Sequence, residues 1–163
     1  MDYIVEIEKK IFFSENKFTD TLQKWRKESK KIVFTNGCFD ILHRGHADYL
    51  ARAASFGDLL IIGLNTDKSV RKLKGNSRPV NDEYSRAFIL ASLMFVNAVI
   101  LFDEDTPFNL INFIQPDILV KGSDYKKENI VGADIVEKKG GSIVTIDFVE
   151  GFSTTSIIEK IIK

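Results

Sequence analysis

Five short apolar segments, each followed by a stretch with helical spacing, constrain the fold of this 163-residue chain more than any other feature. They lie at residues 32–35, 59–64, 98–102, 118–120 and 142–146. Short apolar segments that end in polar turns are typical of strands, and the right-handed crossover of a strand–helix–strand unit makes its two strands parallel. The sequence therefore predicts an α/β fold, a single Rossmann-like, doubly wound domain with a five-stranded parallel sheet.

The first 30 residues differ from the rest of the chain in their pattern. Residues 1–30 are predicted to form an N-terminal extension and a helix, and residues 31–163 are predicted to form the α/β domain. Residues 1–13 show no clean periodicity, so they suit either a plain extension or an arm that contacts a second copy of the chain. Ser14 is a suitable N-cap for the helix, and the apolar residues after it share one face.

Composition excludes several classes of protein. The 23 basic and 23 acidic residues give a formal net charge of zero, whereas proteins that bind nucleic acid usually carry a basic excess. The single cysteine excludes an intramolecular disulfide and fits a reducing compartment. No apolar segment approaches the roughly 18 residues of a membrane-spanning helix, and the acidic N-terminus does not fit a signal peptide. We expect a cytoplasmic protein that binds neither nucleic acid nor a membrane.

Both histidines of the chain, His43 and His46, lie in one tetrapeptide after the first predicted strand. The residues that follow suit a helix, so the histidines are predicted at or just inside its start. A helix N-terminus offers unpaired N–H groups and a partial positive charge, which suit a phosphate. Two other interpretations stay open: a solvated or capping pair, and a zinc site with Cys38, which would need Asp40 or a distant residue to complete it.

Three further polar segments follow predicted strands. Basic residues cluster at 71–78, where they suit either a solvated loop or a site for a sugar phosphate or a triphosphate. Residues 121–125 form a glycine-containing turn, either a simple connection or a ligand site at the carboxyl end of a strand. The hydroxyl residues at 153–156 suit N-caps of a last helix and are also donors to a phosphate.

Two common nucleotide-binding motifs are missing from the sequence. The first predicted strand is not followed by Gly-x-Gly-x-x-Gly, which counts against a nicotinamide or flavin dehydrogenase. The chain also lacks Gly-x-x-x-x-Gly-Lys-Ser/Thr, which counts against an ordinary kinase.

Residues 37–46, Gly-Cys-Phe-Asp-Ile-Leu-His-Arg-Gly-His, resemble the nucleotidyltransferase superfamily with its His-x-Gly-His motif. Segments 65–75 and 78–80, and the Arg-Ala-x-x-Leu-Ala pattern that starts at Arg86, are similar to the branch of heptose 1-phosphate adenylyltransferases. The resemblance covers roughly residues 15–162, with Ser123 at a position where this family more often has glycine. In this family the activity often forms the C-terminal domain of a bifunctional heptose kinase/adenylyltransferase, and the length of the chain predicts the stand-alone form.

The resemblance implies a reaction and its partners. AMP would pass from ATP to heptose 1-phosphate, giving ADP-heptose and pyrophosphate for a cell-surface glycan such as the lipopolysaccharide core. Mg²⁺ would accompany ATP without a dedicated protein site, and a separate heptose kinase would supply the acceptor. We also expect a homodimer or a higher homo-oligomer.

The resemblance also implies roles for individual residues. The catalytic residues would be His43, His46 and Lys74. The nucleotide-binding residues would be Thr35, Asn36, Gly37, Cys38, Phe39, Asp40, Gly45, Lys121, Gly122, Asp124, Tyr125, Ser153, Thr154 and Thr155. The sugar-phosphate-binding residues would be Asp40, Asn65, Asp67, Arg78 and Arg86. Of these, Arg86 also suits an ion pair on a helix face.

Two other functions stay open on the sequence alone. The same motif serves cytidylyltransferases that act on glycerol 3-phosphate or a related alcohol phosphate. From a different class, the chain suits a nucleotide-binding regulator without turnover, although the residues of a complete site are present.

Overall fold

The computed structural model describes residues 1–162, with the side chain of Lys127 excepted. The strands in this part of the chain are β1 (Ile11–Phe12), β2 (Ile32–Gly37), β3 (Leu59–Asn65), β4 (Ala98–Phe102), β5 (Ile118–Gly122) and β6 (Ser142–Ile146). The α-helices there are α1 (Tyr3–Glu8), α2 (Glu15–Lys27), α3 (Arg44–Ala54), α4 (Asp67–Lys74), α5 (Glu83–Ser92), α6 (Phe108–Ile114), α7 (Ala133–Lys138) and α8 (Thr154–Ile162). No helix among residues 1–162 combines the length and the apolar character needed to cross a bilayer.

All the strands pair in parallel in one sheet of the order β1-β4-β3-β2-β5-β6. The chain moves from β2 towards one edge of the sheet and later returns to the other side of β2 with β5. The α/β, Rossmann-like, doubly wound prediction is therefore confirmed. The change of direction between β2 and β5 is the point where ligands bind in open sheets of this kind.

Both faces of the sheet are buried, which explains the unbroken apolar segments. Alternate residues of β2 point to opposite sides, so Val33 packs with α3 and α5 while Ile32 and Phe34 pack with α2 and α6. Phe18 of α2 is fully buried in the second of these cores. The apolar face predicted after Ser14 therefore does pack on the sheet.

The predicted count of five strands is wrong, because the sheet of the described residues has six. The additional strand, β1, has two residues and pairs with Val99 and Ile100 at the edge of the sheet. A strand of two residues is too short to show alternation, which is why the sequence pattern of residues 1–13 did not reveal it. The helix between β5 and β6, α7, begins at Ala133, directly after Gly132, which adopts a positive φ of 80°.

Candidate functional site

A cleft of ≈ 600 Å³ lies over the carboxyl ends of β2 and β5, where the order of the strands changes direction. It extends along the same edge of the sheet to β3 and β4, so that residues from four strand ends meet in one cavity. The predicted site residues that line it are Asn36, Gly37, Cys38, Phe39, Asp40, His46, Asn65, Lys74, Arg78, Lys121, Gly122, Asp124, Tyr125 and Thr154.

The turn after β2 brings backbone into the cleft. Phe39 adopts a positive φ of 44°, an uncommon conformation for a residue with a side chain, and its ring is nevertheless buried. The ring lies against Gly37 and makes an edge contact with His46, at 5.2 Å between ring centroids. The buried ring therefore holds a tight turn, and this turn places the backbone of Cys38 at the cleft.

The predicted position of the histidines at a helix start is confirmed. His43 is the N-cap of α3, and its Nδ1 accepts a hydrogen bond from the backbone N–H of His46 at 3.3 Å. A neutral ring that accepts at Nδ1 carries its proton on Nε2, so His43 keeps one N–H donor for a ligand. The two rings stack at 3.7 Å between centroids, although only His46 lines the cleft itself.

Both imidazoles are neutral at pH 7 in this arrangement. Burial is the main cause that lowers the pKa of His46 to about 4; the proximity of the basic groups His43 and Lys74 lowers it further, and the backbone carbonyl of Ile41 opposes this only in part. Partial burial also lowers the pKa of His43. The pair therefore acts on an anion through N–H groups rather than through a net positive charge.

Lys121 provides a buried amine where the strand order reverses. It is 8% exposed, it donates a hydrogen bond to the side-chain oxygen of Asn36, and its Nζ lies 5.6 Å from the centroid of the Tyr125 ring. Burial lowers its pKa to about 8, against the opposing attraction of Asp124. At neutral pH Lys121 is therefore a charged group in a poorly solvated position, where a bound phosphate would interact with it strongly.

Asp40 organises the loop that carries Arg78. Its carboxylate is 2% exposed and accepts hydrogen bonds from Arg78 Nε, from Val80 N at 2.7 Å and from Asn81 N at 3.1 Å. Although burial opposes it, these hydrogen bonds and the positive charge of Arg78 lower the pKa of Asp40, so the carboxylate stays ionised. With its acceptor positions occupied, Asp40 holds Arg78 at the cleft, while the guanidinium itself remains 14% exposed.

Several predicted site residues lie behind the cleft rather than on its surface. Arg86 is 1% exposed, and its guanidinium donates to the carbonyls of Asn81 and Cys38 and to the carboxylate of Asp67. Thr35 is fully buried with its hydroxyl 2.9 Å from that of Tyr49. The structure does not bring these side chains to the cavity surface; it places them where they support the residues that line it.

The start of α8 lies beside the start of α3. The hydroxyl of Thr154 donates to the carbonyl of Ile41 at 3.4 Å, while Ser153 caps the helix by accepting from the N–H of Ser156 at 3.0 Å. Phe152 packs under Arg44, and any side chain at Gly45 would press against Phe152 and His43. Two helix N-termini therefore meet at one edge of the cleft, although Gly45, Ser153 and Thr155 do not line the cavity.

The structure adds cleft residues that sequence reasoning missed. Tyr49 and Phe148 stack at 5.8 Å between ring centroids, and the Phe148 ring occupies the space that a Cβ at Gly122 would need. Burial raises the pKa of Tyr49 to about 12, which keeps its hydroxyl protonated. The remaining additions are Leu73, Phe102, Asp105, Thr106, Pro107, Asn129 and Val131. Helical spacing marks Tyr49 only as a core residue, and no motif marks Phe148.

The cleft contains carboxylates but no arrangement suited to a resident metal ion. Among residues 1–162, no group of three or more histidine, cysteine, aspartate or glutamate side chains is close enough to hold one. Asp40 is already paired with Arg78, and burial raises the pKa of the Cys38 thiol. Any divalent cation in this cleft would have to arrive with a ligand that provides most of its oxygen donors.

The likeness to known proteins is strong over most of the chain. The cytidylyltransferase-like family model matches residues 34–160. Bifunctional protein HldE of Campylobacter jejuni subsp. doylei is 59% identical over 157 residues, which are 96% of this chain and 32% of that protein. Bifunctional protein HldE of Syntrophotalea carbinolica is 52% identical over 160 residues, again 32% of that protein. The chain thus spans about a third of the length of these relatives.

Two solved structures share the architecture. A lipopolysaccharide core biosynthesis protein from Thermoplasma volcanium is 28% identical with a TM-score of 0.58, over 74% of this chain and 97% of that one. A pantoate-beta-alanine ligase from Francisella tularensis has a TM-score of 0.62 over 91% of this chain and 75% of that one; at 16% identity it supports the fold alone. The cleft at the reversal of the sheet and the match over residues 34–160 lead to one conclusion: this chain belongs to the cytidylyltransferase-like family of nucleotidyltransferases.

Proposed function

We propose that this chain is a heptose 1-phosphate adenylyltransferase of the His-x-Gly-His type, which transfers AMP from ATP to heptose 1-phosphate and releases pyrophosphate. The observation that carries the proposal is the meeting of the neutral His46, buried Lys121 and basic residues of the α4 segment in one cleft where the strand order reverses, with the His43 ring stacked on His46. The 52–59% identity to HldE, the bifunctional heptose kinase/adenylyltransferase, supports the choice of substrates.

The proposed chemistry is an in-line displacement without a covalent enzyme intermediate. An oxygen of the sugar phosphate attacks the α-phosphorus of ATP, and the bond to the β-phosphate oxygen breaks so that pyrophosphate leaves. Enzymes of this kind act by positioning and by stabilising the charge that develops in the transition state. Cys38 plays no part as a nucleophile, because its raised pKa keeps the thiol protonated.

Each charged or donor group has a place in this scheme. His43 and His46 donate N–H hydrogen bonds to the reacting phosphate, and Lys121 binds the triphosphate from the β5 side. Lys74 and Arg78 attract the acceptor phosphate from the α4 side. Mg²⁺ would be held by phosphate oxygens and water, where it would neutralise charge on the leaving pyrophosphate.

The biological setting follows from the same proposal. A heptose kinase has to supply the acceptor, and a bifunctional relative that joins both activities fits such a pathway. We place the reaction in the cytoplasm, where ATP is available, and assign its product to the synthesis of a heptose-containing cell-surface glycan. The homo-oligomer expected from the sequence stays a prediction.

A crossed substrate assay tests the proposal. Purified protein with Mg²⁺ is given ATP or CTP, each with heptose 1-phosphate or glycerol 3-phosphate, and pyrophosphate release is measured. We expect release only with ATP and heptose 1-phosphate. Release with CTP and glycerol 3-phosphate would favour the cytidylyltransferase instead, and tight binding of ATP without release in any combination would favour a regulator.

The pH dependence of ATP binding is expected to follow Lys121. Because its pKa is about 8, the amine is charged below pH 8 and attracts the triphosphate, and it becomes neutral as the pH rises. The dissociation constant of ATP, measured by calorimetry, should therefore be constant up to about pH 8 and rise up to about tenfold per pH unit above it. Lys121→Met should bind ATP weakly with no such rise, and Lys121→Arg should bind with a flat profile. The same rise in Lys121→Met would contradict the assignment.

A further inference from the structure

The end of the cleft furthest from Lys121 has a different chemical character. It lies at the carboxyl ends of β3 and β4, where Asn65, Asp105 and Thr106 line the cavity beside the apolar residues Phe102 and Pro107. In the proposed function, basic groups elsewhere in the same cleft bind the triphosphate, and a carboxylate would repel it. This end therefore suits an uncharged, hydrogen-bonding part of a ligand.

The order of the strands indicates which part of the substrates lies at the β4 end of the cleft. Neighbouring strands lie about 4.8 Å apart, so the end of β4 is roughly 10 Å from β2 and roughly 14 Å from β5. The nucleotide is assigned to the β5 side and the reacting phosphates to the β2 side, next to His46. What remains for the β4 side is the portion of the acceptor beyond its phosphate group.

The polar side chains at this end of the cleft suit a ligand that carries several hydroxyl groups. The Asp105 side chain is 81% exposed, and its ion pair with Lys72, at 3.4 Å between two exposed groups, is weak enough to leave the carboxylate available as an acceptor. The Thr106 hydroxyl can both donate and accept. Asn65 is 4% exposed, and its amide N donates to Ser69 at 2.9 Å. Within residues 1–162, the hydrogen bond seen at its carbonyl oxygen comes from the Cys38 thiol, at 3.9 Å.

We propose that Asp105 and Thr106, together with the Asn65 carbonyl, bind hydroxyl groups of the acceptor and so select a long polyhydroxylated sugar phosphate. The inference rests on the proposed function and deepens it, because a seven-carbon sugar extends from its phosphate to the β4 end. A three-carbon acceptor such as glycerol 3-phosphate offers only two hydroxyl groups to this end, so it can make fewer of these hydrogen bonds. Asp105 and Thr106 therefore determine specificity without contacting the reacting atoms.

Two conservative variants, Asp105→Asn and Thr106→Val, test the subsite in the full chain, with KM and kcat measured for each substrate in the presence of Mg²⁺. We expect the KM for heptose 1-phosphate to rise about tenfold or more in Asp105→Asn, and by a smaller factor in Thr106→Val. The KM for ATP should stay within about twofold in both. Glu104→Gln, which changes a neighbouring exposed carboxylate that does not line the cleft, should match the wild type.

These measurements distinguish a failure of the proposed subsite from a failure of the proposed reaction. Unchanged KM for heptose 1-phosphate in both variants overturns the subsite alone, as does an equal rise in the KM for ATP and for the sugar. A wild-type protein that turns over glycerol 3-phosphate but not heptose 1-phosphate overturns the proposed function and the subsite together. Melting temperatures within about 2 °C of the wild type would show that the variants are folded, as expected for exposed side chains.

Discussion

Replacing His46 with alanine is expected to lower kcat by about 10²- to 10³-fold while the protein stays folded. Removing one preorganised donor to a developing oxyanion typically has an effect of this size. His46 lines the cleft, and burial lowers its pKa to about 4, so its ring is neutral at pH 7. The activity of the wild type should therefore show no step near pH 6.5 that His46→Ala abolishes, and a step of that kind would contradict a neutral His46.

His43 allows a sharper test because it has two separable roles. As N-cap of α3 it stabilises the helix by about 1 kcal/mol, and as a neutral ring it offers Nε2–H to the phosphate. His43→Asn can still cap the helix but has no imidazole, so we expect near wild-type stability with a loss of kcat similar to that of His46→Ala. His43→Ala lacks both the helix cap and the imidazole, so its stability and its kcat should both fall. Near-normal turnover by folded His43→Ala would show that the proposed mechanism is wrong.

The second large effect is expected at Arg86, on stability. Arg86→Met should lower the free energy of unfolding by about 3 kcal/mol, because it removes the three donors that join Asn81, Cys38 and Asp67 and leaves a half-buried carboxylate without its partner. Urea unfolding measures the change. The same variant should lower kcat, since the Cys38 carbonyl is part of the turn that lines the cleft.

Two further arginine variants serve as controls for this prediction. Arg52→Ala breaks a pair with Asp48 at 2.8 Å in which the arginine side chain is 58% exposed, and it should cost less than about 1 kcal/mol. Arg86→Lys keeps the positive charge but lacks the planar guanidinium that donates to several acceptors at once. Its stability should therefore fall between those of the wild type and Arg86→Met. A stability change at Arg86 no larger than that at Arg52 would contradict the bridging role.

Much of the fold was accessible from sequence because its strands are buried on both faces. Residues 59–64 and 98–102 are apolar without interruption, a pattern that is typical of parallel strands covered on both faces. The sixth strand was not accessible, since Ile11 and Phe12 pair with β4 through backbone groups that leave no periodicity. Likewise, the start of α7 at Ala133 depends on the conformation of Gly132.

Some residues of the candidate site could likewise be predicted from the sequence, and others could not. Residues such as Lys121 and Asn36 follow directly from their places at the carboxyl ends of strands, so a pattern and a resemblance suffice to predict them near a ligand. Phe148 and Asp105 reach the cleft only through the path of loops, which no local spacing encodes. For Arg86, the sequence places a charged residue on a predicted helix. It does not show whether the guanidinium faces a ligand or is buried in contacts with the protein itself.

Isotope labelling can follow the transfer of AMP from ATP to heptose 1-phosphate directly. Heptose 1-phosphate labelled with ¹⁸O in its phosphate group is incubated with the protein, ATP and Mg²⁺, and the products are analysed by mass spectrometry. We expect ADP-heptose that carries the label, together with unlabelled pyrophosphate in equal amount. Absence of ADP-heptose under these conditions, with CDP-glycerol formed instead from CTP and glycerol 3-phosphate, would contradict it.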